Sequence, residues 1–490
     1  MFQTFPTLSY PLLIHIVVAT VLSLRVLYRK LQVNSALAWI VVLIAMPIAG
    51  PVLYVLFGAP SLGERRLELG QRIRRFYEKA YAIAGTDSVG LDAIPEPFPA
   101  LSASIAQESS FPILSRNRQT ILTDAGQILD SMVADIDRAQ SDCCLEFYII
   151  APAGRVAAVL ESVLRAAARG VDCKILADDF GSKGFFRSPW PARLKEAGVS
   201  VLPSLPVAAI RSFSKRTDLR NHRKQLICDR TVAYMGSFNL VDPHLFKADA
   251  HVGEWIDLMM RIEGEMVDAF ACVFNTDHLL DKPGADIDDE ALRTLPSFDT
   301  ARPPLPDERL RMQLLPSGPE MPKSTIYEFI VAAIFNARDR VRIVTPYFVP
   351  DQAVLLALTS AAKRGVKVQI IVPRKGDSRM AQFASQSCFD DLLDAGVEIQ
   401  CFSGGLLHAK AMLIDESITL FGTVNMDMRS FYLNLEMSLI LYEAQVSTQL
   451  DTIIDGYLKH ATPLDKESWA HRPGHRRFLE NLFRLAGPLL

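Results

Sequence analysis

His222-Arg-Lys224-Gln-Leu-Ile-Cys-Asp229, followed by Gly236-Ser237-Phe-Asn239, has a second copy further along the chain: His408-Ala-Lys410-Ala-Met-Leu-Ile-Asp415, followed by Gly422-Thr423-Val-Asn425. Both read H-x-K-x4-D-x6-G-[ST]-x-N. The segments around them also repeat. Each opens on an apolar strand pattern, at Leu145 and Val341. Each continues with an Ala-rich helical run ending in Arg-Gly-Val, at Arg169 and Arg364, and each closes a second helical run on Ala-Gly-Val, at Ala197 and Ala395. The offsets between these points are 196, 195 and 198 residues, so one unit is used twice. Strands alternating with helices make each unit an α/β sandwich, and two units facing each other imply pseudo-twofold symmetry.

The residue types suit phosphodiester chemistry. A lone His-x-Lys on a strand is usually a solvated edge; two copies in matching halves point to a site. On a strand, His and Lys two apart share a face. A histidine there can act as nucleophile or as general acid and base. Lys224 and Lys410 supply fixed positive charge for a phosphoryl oxygen. Asn239, Asn425 and the hydroxyls of Ser237 and Thr423 can donate to the remaining oxygens.

These motifs resemble the paired signature of the phospholipase D superfamily, and within it the bacterial cardiolipin synthases. The likeness extends to Gly236–Pro243, Gly253-Glu-Trp-Ile-Asp-Leu258, Thr345-Pro-Tyr-Phe-Val-Pro-Asp351 and Gly422–Ser430 with Leu433-Asn-Leu-Glu436. It implies metal-free, cofactor-free transfer of a phosphatidyl group between two phosphatidylglycerol molecules through a phosphatidyl-histidine. By that likeness His222 is the nucleophile and His408 the acid, then base; the residues alone leave the reverse open. The likeness also implies a carboxylate behind each imidazole, with Glu436 expected for His408 and Glu254 for His222. Asp229 and Asp415 complete the two catalytic motifs, and their expected work is to hold the turn before the Gly-[ST]-x-N segment. Thr423 departs from the commoner serine but keeps the hydroxyl, its methyl narrowing the pocket.

The first sixty residues pose a different solvent problem. Before Glu64 the only charges are Arg25, Arg29 and Lys30. The apolar runs Leu8–Leu24 and Ala36–Phe57 read as two transmembrane helices, the second interrupted by Pro47, Gly50 and Pro51 and carrying Trp39 and Tyr54 near its ends. The uncharged first ten residues argue against a signal peptide. Six basic residues follow the second run (Arg65, Arg66, Arg72, Arg74, Arg75, Lys79) against three between the runs. That bias puts the bulk of the chain, a multi-pass protein, on the cytoplasmic side; the resemblance implies that the membrane is a bacterial inner membrane.

The expected organisation is a two-helix anchor over 1–60, a basic juxtamembrane segment and linker over 61–112, and a first phospholipase D-like half over 113–280. A Pro-rich linker over 281–310 and a second half over 311–490 complete it. The second half ends in an amphipathic run, Arg476–Ala486, that is either an interfacial helix on anionic lipid or a helix packed on its own domain.

Composition bounds the alternatives. The chain of 490 residues has about three domains' length. With 52 basic and 55 acidic residues its net charge is −3, against a nucleic-acid phosphodiesterase; 49% hydrophobic and 22% charged residues exclude disorder. Seven cysteines without a C-x-x-C pair fit neither a disulfide framework nor a zinc ribbon, and no metal ligand set appears. His15 is expected in helix packing, and His244, His251 and His278 as structural or exposed residues. The partners expected are phosphatidylglycerol and the anionic bilayer. A hydrolase, a transferase for other head groups and a non-catalytic scaffold are the competing readings.

Overall fold

The structure, a computed structural model, describes residues 10–29, 33–58, 64–84, 92, 94–206, 218–248, 252–282, 309–318 and 325–485. His251 and most of the Pro-rich linker lie outside these residues. The chain divides into two units, one of residues 1–67 and 207–219, the other of residues 68–206 and 220–490.

In the first unit, Tyr10–Tyr28 is a continuous apolar helix long enough to cross a membrane, with Val17, Val21 and Leu24 exposed. The second apolar run is not one helix. It breaks into Val33–Ala45 and Ala49–Phe57, because Pro47 cannot continue the helical hydrogen-bond ladder and Ile48 takes φ 66°. The freed groups are re-satisfied across the break: Gly50 N–H donates to the Met46 carbonyl and Val52 N–H to the Ile48 carbonyl. Each piece is shorter than the span read from sequence, so among the described residues one helix, Tyr10–Tyr28, is long and apolar enough to cross a membrane. The helices pack through Val26, Leu43 and Tyr54; Trp39 and Tyr54 meet edge to face, and His15 Nε2 lies 3.1 Å from the Ile44 carbonyl.

The second unit holds two mixed sheets that repeat strand for strand. The first has the order Asn117–Leu122, Met259–Gly264, Val232–Gly236, Lys224–Cys228, Asp142–Phe147, Asp172–Asp178, Ser200–Ser204. The second runs Met312–Ser317, Glu436–Leu441, Ile418–Gly422, Ala411–Ile414, Arg340–Val344, Lys367–Pro373, Glu398–Phe402, with Ala461–Pro463 added at the edge. The central strands are buried along their whole length, as strands covered on both faces must be, hence the unbroken apolar runs. Ile227, Met235 and Met260 of one sheet and Leu413, Phe421 and Leu439 of the other enter one shared core. Helices Met266–Asp281 and Ala444–Leu458 contribute to the same core. The outer face of the first sheet is covered by Ala125–Arg138 and Val156–Ala168, that of the second by Thr325–Asn336 and Gln352–Lys363.

Part of the expected linker before residue 112 is a helix, Pro99–Ser109. Pro99 sits at its first position, where a missing N–H costs nothing. Ser102 and Ser109 donate back to the carbonyls of Phe98 and Ile105, so residues that read as linker are internally satisfied. Ile94, Phe98 and Ile105 then join the core of the second half.

Candidate active site

The two His-x-Lys segments enter their strands in extended conformation, His222 two residues before Lys224–Cys228 and His408 three before Ala411–Ile414. What fixes them is pairing between the halves. Asn221 bridges Leu435 in parallel and His222 N–H donates to the Leu435 carbonyl (2.8 Å). Reciprocally, Leu406–Leu407 pairs in parallel with Trp255–Ile256, and His408 N–H donates to the Ile256 carbonyl (2.8 Å). The residue after each accepting carbonyl is a buried carboxylate. His222 Nδ1 lies 2.8 Å from Glu436 Oε2, and His408 Nδ1 lies 2.6 Å from Asp257 Oδ1. Each imidazole is therefore oriented by the other half.

This differs from the expected pairing. Glu436 serves His222 rather than His408. Glu254 is 59% exposed and pairs with His244, because alternation along Trp255–Ile256 puts it on the face opposite Asp257. The signal for Asp257 is strand register rather than spacing along the sequence. Met259 pairs with Gly236 and Ser438 with Gly422, so Asp257 and Glu436 each stand two residues before the partner of a motif glycine. Both glycines are required for close approach: a Cβ would lie 2.3 Å from the Leu258 carbonyl at Gly236 and 2.4 Å from the Met437 carbonyl at Gly422.

The hydroxyls also fall differently. Ser237 Oγ donates to Asp257 Oδ1 and Thr423 Oγ1 to Glu436 Oε2, both at 2.6 Å, while each hydroxyl accepts the backbone N–H of the residue directly after that carboxylate: Leu258 at 3.0 Å and Met437 at 2.9 Å, respectively. Ser237 and Thr423 hold the carboxylates rather than point at a phosphate. Asn239 Oδ1 accepts from Ile149 N–H, which leaves Nδ2 as its donor end; Asn425 Nδ2 lies 3.3 Å from Ser430 Oγ.

Asp229 and Asp415 lie at the far ends of their strands. Seven residues of extended chain place each roughly 20 Å from its histidine. Asp229 accepts the backbone N–H groups of Gln140, Ser141 and Asp142; Asp415 accepts those of Arg338, Asp339 and Arg340. They tie the start of the neighbouring strand, not the turn toward Gly236 or Gly422. Asp229→Ala is expected to cost about 1–2 kcal/mol of stability by removing these hydrogen bonds to exposed and half-buried backbone donors, with turnover of the folded protein unchanged. Denaturant unfolding beside specific activity checks this; a stable but inactive variant would contradict it.

Burial governs the titration. It pulls His222 and His408 down to about 4 against the pull of their carboxylates, Lys224 to about 7 and Lys410 to about 8. Glu436 and Asp257 are held below their usual range: desolvation, the largest single effect, opposes this, and the partner histidines, the lysines and the Thr423 and Ser237 hydroxyls together outweigh it. An ionised carboxylate accepts, so each Nδ1 carries the proton and each Nε2 keeps its lone pair. Both lysines donate to their own histidine's carbonyl, Lys224 at 2.7 Å and Lys410 at 2.6 Å. Tyr148 meets the His222 ring edge-on at 5.0 Å, and Trp255 lies 4.5 Å from the His408 ring.

The unfolded histidines titrate near 6.5, the folded ones near 4, so between these values the unfolded chain binds more protons. Their contribution is full above about pH 6.5 and lost as pH falls toward 4. Melting temperature should drop over that window, and less steeply in His222→Gln/His408→Gln. Equal slopes would contradict the burial argument.

Two α/β halves, each presenting a His-x-Lys pair and each orienting the other's imidazole, define a phospholipase D-type two-motif enzyme. Residues 132–252 and 330–458 match the family model described as cardiolipin synthase, PLD-like domain, and residues 17–58 match phospholipase D-nuclease N-terminal. Cardiolipin synthase A of Yersinia pestis and of Yersinia pseudotuberculosis are each 38% identical over 481 residues, 96% of this chain and 95% of theirs. The crystal structure of a phosphatidylserine synthase from Haemophilus influenzae Rd KW20 superposes with TM-score 0.58 at 13% identity, over 80% of this chain and all of that one, a likeness of fold. The chain belongs to the PLD-like cardiolipin synthase family.

Proposed function

We propose that the chain makes cardiolipin and glycerol from two phosphatidylglycerol molecules. The observation that carries this is the reciprocal pairing His222–Glu436 and His408–Asp257, which gives one site two oriented imidazoles and two lysines. His222 Nε2 attacks the phosphorus of the first lipid. The bond from phosphorus to the glycerol oxygen breaks, and protonated His408 gives that oxygen its proton. A phosphatidyl-His222 remains. His408, now neutral, takes the proton of the second lipid's glycerol hydroxyl, whose oxygen attacks phosphorus; the P–N bond breaks and His222 is restored. Bound phosphate raises the pKa of His408 from its depressed value, so the acid form is populated when needed. Lys224, Lys410 and the Nδ2 group of Asn239 balance charge on the non-bridging oxygens.

The apolar helix Tyr10–Tyr28 and the kinked run after it support a two-helix anchor at residues 1–60, multi-pass in a bacterial inner membrane. The basic excess after that run supports a cytoplasmic catalytic region, in two halves over 113–280 and 311–490. Partners are then phosphatidylglycerol and the anionic bilayer, and the net charge of −3 disfavours nucleic acid.

Detergent-solubilised protein incubated with phosphatidylglycerol and a chelator should give cardiolipin with equimolar glycerol. Phosphatidic acid as main product would make water the acceptor and overturn the transferase reading.

A further inference from the structure

The amphipathic run near the C-terminus forms helix Gly474–Arg484, and its apolar residues do not share one face. Phe483 turns inward and stacks on Phe383 of helix Arg379–Gln386 (5.7 Å, 14°). Glu480 is buried and held by Arg472. Phe478, Leu482 and Leu485 turn outward, 67%, 46% and 81% exposed. Spaced i, i+4, i+7, they make a stripe about 140° around the helix from the packed face, at about 100° per residue. Arg477 and Arg484 are exposed on the flank between the two. Helix Arg379–Gln386 extends the patch with exposed Arg379 and with Met380, 45% exposed.

The patch adjoins the site. Asp377, two residues before that helix, accepts from Tyr347 Oη (2.6 Å) and pairs with Lys247 (3.0 Å). Lys247 Nζ lies 5.4 Å over the Trp255 ring, which packs on His408.

We infer that helices Arg379–Gln386 and Gly474–Arg484 form a membrane-docking face of the catalytic unit, which inserts Phe478, Leu482 and Leu485 into an anionic bilayer beside the His408 side of the site. Apolar residues flanked by arginines are what an interfacial helix on anionic lipid requires. The contact sets how lipid reaches the site, whereas the N-terminal segment sets only that the chain stays on the membrane. The kinetic part of this inference rests on the transferase reading; the depth measurement does not.

Full-length Phe478→Trp is reconstituted in phosphatidylglycerol vesicles carrying acyl-brominated lipid. The fluorescence gained over the parent protein is expected to be quenched, and an unquenched signal would overturn the inference whatever reaction the enzyme performs. Phe478→Glu/Leu482→Glu is then assayed at varied mole fraction of phosphatidylglycerol. Half-saturation should move up roughly tenfold, with turnover of monomeric short-chain phosphatidylglycerol unchanged. Equal loss on both substrates would make the helix structural only. A change in oligomeric mass without a change in lipid dependence would make the face a contact between copies. Either result overturns the inference.

Discussion

Replacing either His222 or His408 by alanine is expected to lower turnover at least ~10³-fold while leaving the fold intact. Two independent sites, one per half, would each retain about half the activity after a single replacement. The cross-half orientation of His222 by Glu436 and of His408 by Asp257 favours one shared site over that arrangement. A missing nucleophile leaves no covalent route, and a missing general acid alone typically costs 10²–10⁴. Initial rates beside a melting curve decide the matter. A single variant at half activity would show that each half works alone.

Asp257→Asn is the second large effect. The substitution keeps shape and removes charge. Asp257 Oδ1 now accepts from both His408 Nδ1 and Ser237 Oγ. An amide presents either a weaker acceptor or a donor, and a donor drives the imidazole proton to Nε2, the atom that must exchange protons with substrate. The comparable change behind a catalytic histidine elsewhere costs about 10⁴ in kcat, and a similar loss in kcat with little change in KM is expected here. Glu254→Gln is the control: exposed and paired with His244, it should change activity less than about twofold, within the range of surface substitutions. If Glu254→Gln were the crippling change and Asp257→Asn silent, the orientation of His408 would be misassigned.

These two carboxylates mark where sequence reading stops. The duplicated motif, the repeat offsets and the α/β alternation are local or periodic, and all are visible in one dimension. Which carboxylate stands behind which histidine is not local. It depends on Leu435 meeting Asn221 and Ile256 meeting Leu407, contacts between residues more than 150 positions apart. The family likeness therefore points to Glu254, while strand register leads to Asp257. Ser237 and Thr423 were legible as polar site residues, but their direction, toward the carboxylates, follows from the same register.

Other differences have local causes. Pro47 shortens the second apolar run because a proline removes a ladder hydrogen bond, whatever the hydropathy around it. Pro99, Ser102 and Ser109 looked like linker composition and instead start and internally satisfy a helix. The C-terminal run shows an amphipathic pattern in sequence; only packing reveals that Phe483 turns in while Phe478 turns out.

The division of labour between the two histidines is tested by His408→Ala with a phosphatidyl ester of p-nitrophenol. That leaving group departs without an acid, while the second step still lacks its base. The account predicts a stoichiometric burst of nitrophenolate and a phosphatidyl adduct on the peptide bearing His222, both absent in His222→Ala. An adduct on any other residue, or a burst that survives His222→Ala, would contradict it.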